Sequence, residues 1–208
     1  MKLYHHPLSS NCRKVSVAAL LLGIDLDLQF IDLPAGAQKK PDYLRLNPNG
    51  LAPTLEDGSF VLWESNAIMQ YLAEKKPGNT LWPSDPRMRA DISRWQCWEL
   101  AHWTPALAII IHENLVKKLL KMGEPDPAEI KKGEEATHRF AQILDNHLQG
   151  KKYLVGEALT LADISVAAIL MYRQPARLPL DQYKNINGWY AQIEKLDAWQ
   201  KTAPPPMG

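Results

Sequence analysis

The 208-residue sequence predicts two unlike halves: an α/β unit with a small mixed four-stranded sheet, then an all-helical bundle. Three observations predict this. Period-two runs and hairpin chemistry occur only before Gly78. Lys76–Pro86 holds three prolines and a glycine, which no helix tolerates. After Pro86 only helical periodicities remain.

Each element follows from local chemistry. Lys2–Tyr4 begins a strand, closed by the turn His5–Ser10. Cys12–Leu22 reads as a helix through Val15, Val17, Ala18, Leu21 and Leu22, stopped by Gly23. Leu26–Leu33 alternates as a strand, and Pro34–Pro41 is a loop by composition. Asp42–Leu46 is a short helix, and Asn47-Pro48-Asn49-Gly50 is dense turn chemistry. Pro53–Glu56 and Phe60–Trp63 are strands joined by Asp57-Gly58, a strong hairpin signal. Glu64–Lys75 is amphipathic, with Ile68, Met69, Tyr71 and Leu72 on one side. This order is that of the thioredoxin-like fold. Residues 1–78 form the first expected domain, 79–86 the linker and 87–208 the helical domain. The helical domain reads as Met88–Met122 bent at Pro105, Pro127–Gln149, Ala162–Tyr172 and Gln182–Leu196, with an extended tail from Ala203 to Gly208.

Composition narrows the function. Twenty-four Lys and Arg against 23 Asp and Glu argue against a polyanion binder, so no nucleic-acid partner is expected. Two cysteines, Cys12 and Cys97, rule out a disulfide framework. The longest apolar runs, Pro105–Ile111 and Ile164–Tyr172, fall short of the ~18 residues that span a bilayer. The start Met1–His6 lacks the apolar core of a secretory signal. A cytoplasmic protein without membrane attachment is expected. No Gly-x-Gly-x-x-Gly or P-loop occurs, so no nucleotide cofactor is expected.

The chemistry concentrates at three short stretches. Ser9-Ser10-Asn11-Cys12 joins the first strand to the first helix. A helix N-terminus stabilises an anion through unpaired N–H groups and its dipole. Thioredoxin-like oxidoreductases place Cys-x-x-Cys there; here serine stands first, so dithiol exchange is lost. A hydroxyl there can instead donate to a thiolate brought by a ligand. A charge-assisted bond is worth roughly 1.5–3 kcal/mol, so one donor lowers a thiol pKa by about one to two units. The plainer role for Ser9 or Ser10 is an N-cap. Second, if the bond before Pro53 is cis, the Ala52 backbone faces outward as an edge on which a peptide ligand can pair; an ordinary turn proline is the alternative. Third, Glu64-Ser65 opens a helix; its N–H groups can hold a carboxylate and Glu64 an ammonium. A plain helix start explains the pair equally well.

Taken together, Leu8–Arg13, Leu46–Leu55, Leu62–Ile68 and Leu159–Ile164 resemble the cytosolic glutathione transferases, in order and spacing, over essentially the whole chain. The motifs are similar to serine-type members of delta-, theta- or zeta-like or bacterial classes. The resemblance implies that Ser9 activates the thiol of reduced glutathione, with Ser10 the alternative and Asn11 assisting. It implies that Gln38 and Lys39 reach the glycine carboxylate, that Leu51 replaces a polar contact, and that Ala52 pairs with the cysteinyl moiety before a cis Pro53. It assigns Glu64 and Ser65 to the γ-glutamyl group and makes Thr160-x-x-Asp163 a structural capping box. It further implies a homodimer and a small hydrophobic electrophile as second substrate. His102, Trp103 and Ala106 are the candidates to line the pocket for that electrophile.

Other residues offer rival readings. Cys12 as a nucleophile would make a glutathione-dependent thiol transferase or peroxidase; as a buried side chain it is structural. Cys97, within a long helix, is expected in the core. Glu99-x-x-His102 has the spacing of bundle metal sites but lacks the second copy such sites need, so no metal is expected. His5 and His6 show no evident partner. A non-catalytic interaction protein of the stringent-starvation type shares this fold, but such members often lose the residues retained here as Ser9, Pro53, Glu64 and Ser65.

Overall fold

The computed structural model describes residues 1–206. Met207 and Gly208, the end of the expected tail, lie outside the described residues.

The first half runs β1 (Lys2–His5), α1 (Ser10–Leu21), β2 (Asp27–Phe30), α2 (Pro41–Leu46), β3 (Thr54–Asp57), β4 (Phe60–Trp63) and α3 (Ser65–Glu74). The sheet order is β2-β1-β3-β4. Strand β1 runs parallel to β2 and antiparallel to β3, and β3–β4 is the expected hairpin about Gly58. Gly58 has φ +62°, the left-handed conformation its turn needs. Leu3 and Leu55 pair across the sheet and are fully buried, as are Val15 and Val17 of α1 and Ile68 and Leu72 of α3.

The second half is helical: α4 (Pro86–Trp98), α5 (Thr104–Ile111), α6 (Lys117–Leu120), α7 (Pro127–Leu148), α8 (Leu161–Ala168), α9 (Lys184–Glu194) and α10 (Asp197–Lys201). Helices α4, α5 and α6 are one continuous path, as the periodicity requires, but π-turns at Glu99–Trp103 and His112–Val116 interrupt it. The first π-turn ends immediately before Thr104-Pro105. Pro105 has no N–H to continue the α-ladder, and the extra residue absorbs that break. Helix α8 tightens into a 3₁₀ turn over Ile169–Tyr172.

The two halves share a buried polar seam. Lys14 of α1 donates to Glu99 at 2.8 Å, with both side chains only 1% exposed. Asn66 of α3 accepts from Ser165 of α8 at 2.8 Å, and Gln70 of α3 donates to Gln96 of α4 at 2.6 Å. Burial pulls the Lys14 ammonium down and Glu99 opposes it. Cys97 is exposed, against expectation: it lies on the solvent side of α4, while Trp95 and Gln96 face inward.

Candidate active site

The turn from β1 into α1 is held at almost every polar group. His6 N–H donates to Cys12 Sγ at 3.4 Å, Leu8 N–H to His6 Nδ1 at 3.2 Å, and Ser9 N–H to the His6 carbonyl at 3.0 Å. His6 thus has partners the sequence did not reveal. Its Nδ1 accepts, so the ring is neutral, and burial pushes its pKa down in the same sense.

Ser9 is the N-cap of α1, its Oγ accepting from Cys12 N–H at 3.2 Å. An accepting hydroxyl keeps its own proton free to donate. Ser10 is buried, and its N–H donates to the Tyr172 hydroxyl at 3.2 Å. Arg13 N–H bonds back to the Ser9 carbonyl at 2.9 Å. Of the first four amides of α1, only that of Asn11 has no partner among the described residues. A partly exposed hydroxyl proton and an unpaired amide therefore meet at the positive end of α1.

Beside this turn lies a narrow cleft lined by Asn11, Asn47, Asn49, Leu51, Ala52, Pro53, Glu64, Ser65 and Leu100. The Ala52–Pro53 bond is cis. Buried Asn47 fixes the loop beneath, donating to the Leu51 carbonyl at 2.9 Å and to Thr54 Oγ1 at 3.1 Å. Glu64 is exposed, with φ +73° at the start of α3, so its side chain turns outward rather than capping. Buried Ser65 donates to Asn11 Oδ1 at 3.4 Å, which joins the α1 and α3 N-termini across the cleft. The cleft is open and shallow, about 50 Å³.

The predicted residues separate into three groups. Asn11, Leu51, Ala52, Pro53, Glu64 and Ser65 share the cleft; Ser9 is not part of its lining but caps the helix that presents Asn11 to it. Lys39 stands behind it, donating to the Asn49 carbonyl at 3.3 Å, while Gln38 turns its amide inward to the Leu33 carbonyl at 3.4 Å. The expected electrophile-pocket wall is corrected. Trp103 and Ala106 are sealed in the helical core, and the Trp103 indole N–H is committed to the Val166 carbonyl at 3.1 Å. His102 stacks on Phe140 of α7 instead. Ordinary helical spacing is the reason: Ile92, Trp95, Glu99, Trp103, Ala106 and Ile110 recur three or four apart along one buried face. Leu100, 43% exposed, lines the cleft instead.

Cys12 is 1% exposed, and burial pushes its thiol up despite the His6 N–H donated to it. It stays a thiol, which removes the thiolate that a cysteine mechanism needs. A larger open cavity of about 410 Å³ lies against the other side of α1, among Ala19, Leu20, Leu28 and Thr202, and neither Ser9 nor Ser65 touches it. Among the described residues no His, Cys, Asp and Glu group could hold a metal ion, and no helix is long and apolar enough to cross a membrane.

Known proteins match this arrangement. Residues 8–75 match the family model of the glutathione S-transferase N-terminal domain, and residues 101–197 that of the C-terminal domain. The chain is 35% identical to glutathione S-transferase 3 of Zea mays, over 99% of this chain and 96% of that one. It superposes on glutathione transferase F7 from Populus trichocarpa with a TM-score of 0.89, 29% identity and 97% of each chain covered. It superposes on glutathione S-transferase-I bound with lactoylglutathione with a TM-score of 0.87, 27% identity and 97% of each chain covered. The chain belongs to the glutathione transferase family. Its activity is glutathione transfer, and glutathione is a substrate.

Proposed function

We propose that reduced glutathione lies extended across the cleft, with its γ-glutamyl end at Glu64 and Ser65 and its cysteinyl backbone along Ala52-Pro53. The glycine carboxylate points toward Lys39, since the Leu51 side chain offers no polar contact and Gln38 is turned away. The sulfur sits at Ser9. The Ser9 hydroxyl donates to it, and the Asn11 N–H and the α1 dipole add to the same field. The thiol proton leaves to solvent. The thiolate then attacks the electrophilic carbon, forming the S–C bond as the leaving group departs with its electron pair, or as the pair moves into an activated double bond. Serine is a donor throughout and never the covalent nucleophile.

One observation carries this reading: Ser9 Oγ is already an acceptor from Cys12 N–H, so its proton is the part left over. Ser10 is buried and its amide is spent on Tyr172, so Ser9 takes the activating role of the adjacent pair. The electrophile is small and hydrophobic and enters past Leu100, the exposed apolar side chain facing the cleft from the helical half. Edge strand β4 leaves Phe60 and Trp63 exposed, which supports a homodimer that covers them.

The test is a titration with reduced glutathione, read by thiolate absorbance against pH. Bound thiol is expected to ionise about one to two pH units below free thiol, and Ser9→Ala should return it toward the free value. Turnover should fall about 10- to 100-fold while glutathione affinity stays within about twofold. A wild-type thiolate titration in Ser9→Ala would refute the assignment.

A further inference from the structure

We infer that Tyr172 is a positioning residue for Ser9, holding the activating hydroxyl in place by bridging the peptide groups on either side of it. The inference rests on the reading of Ser9 given above. The Tyr172 hydroxyl donates to the Leu8 carbonyl and accepts from the Ser10 N–H at 3.2 Å. These are the last polar group before Ser9 and the first after it. Neither has a partner within α1: the Ser10 amide is the first of the helix, and the Leu8 carbonyl precedes the cap. One phenol satisfies both, from 162 residues away in sequence.

The phenol is itself fixed. Tyr172 closes the 3₁₀ turn that ends α8, and every residue of α8 is buried. The other end of α8 is pinned by Asp163, which accepts from Thr160, Leu154 and Trp189. Burial keeps the Tyr172 phenol protonated well into the alkaline range, so it remains a donor to the Leu8 carbonyl. The Tyr172 hydroxyl is spent on the Leu8 carbonyl and the Ser10 N–H, so its effect on the sulfur passes through the turn. Without the bridge, the two peptide groups turn to water and the turn around Ser9 loosens. A loss of placement near 1 Å is enough to cost a reaction up to about 100-fold.

Tyr172→Phe keeps the ring and removes the bridge. The expected result is a fall in kcat of about tenfold, glutathione KM within about twofold, and an alkaline displacement of the rising limb of the pH–kcat/KM profile. In a Ser9→Ala background the same substitution should change kcat by less than about twofold, because its route to the sulfur is already gone. A Tyr172→Phe enzyme with an unmoved pH profile, or one whose kcat loss adds in full to that of Ser9→Ala, overturns the proposal. So does fast amide exchange at Ser10 in the unmodified protein, a measurement that stands even if the variant fails to fold. Ser9→Ala alone separates the two levels. If it is inactive and Tyr172→Phe is normal, only this proposal fails; if it is fully active, the Ser9 reading fails as well.

Discussion

Helices α1 and α8 start alike and serve opposite ends. Each opens on a hydroxyl residue, Ser9 or Thr160, in extended conformation. At α8 the third helical position is Asp163, 0% exposed, whose carboxylate accepts from Thr160 N–H, Leu154 N–H, the Thr160 hydroxyl and the Trp189 indole at 2.8–3.1 Å. There the cap hydroxyl gives its proton to the carboxylate. At α1 the same position is Cys12, and no acidic residue stands in the first turn. The serine proton and the Asn11 amide stay unclaimed, and the positive helix end stays uncompensated. One capping device is closed when a carboxylate completes it and keeps a free hydroxyl proton when no carboxylate is there.

The largest break in this comparison is Asp163→Ala. It strands buried donors on Thr160, Leu154 and Trp189, and we expect a loss of about 3–5 kcal/mol in urea unfolding. Ser9→Ala removes a single cap bond and should cost only about 1 kcal/mol in the same assay. Equal stability losses at the two starts would erase the distinction.

Lys14→Met asks whether the body of α1 depends on its pairing as α8 depends on Asp163. It leaves Glu99 charged and unpaired at 1% exposure, so a loss of about 3 kcal/mol is expected in the same unfolding series. Lys14→Met with Glu99→Leu should recover most of that loss, since the apolar pair removes both charges.

The smallest effect is a pH dependence. Burial lowers the folded-state pKa of His5, His6 and His147 below the usual 6.5. A base with a lowered folded pKa contributes stability that is present above its unfolded value and lost as pH falls through the folded value. The melting temperature should therefore decline as pH drops below about 6.5. His6→Asn, which keeps an acceptor for the Leu8 amide without titrating, should flatten part of that decline; an unchanged slope would clear His6 of any role.

Much of this could be read from the chain, for a physical reason. Hydrophobic period, turn residues and caps are local, and they yielded the sheet, the hairpin about Gly58 and the helices to within a few residues. The resemblance, rather than local chemistry, singled out Ala52, Pro53, Glu64 and Ser65, and these four line one cleft. What escaped was long-range or rotational. Which helix face meets the core depends on packing between distant elements, and that packing buries Trp103 and leaves Leu100 at the cleft. Tyr172 looked like the end of an apolar helix, because nothing local records a partner 164 residues earlier. His6 found its bonds in a turn too irregular for periodicity to describe.

The reach of those contacts bears on how the chain is born. Arg13 is 6% exposed, stacked 3.9 Å over the Trp199 ring and donating to the Trp199 carbonyl at 2.8 Å. A ribosome adding about 5–20 residues each second makes Arg13 wait on the order of ten to forty seconds for a partner 186 positions later. Lys14 waits less, for Glu99, and the turn around Ser9 waits for Tyr172. Arg13 therefore stays uncovered through most of synthesis, and the turn around Ser9 is completed only once Tyr172 has left the exit tunnel.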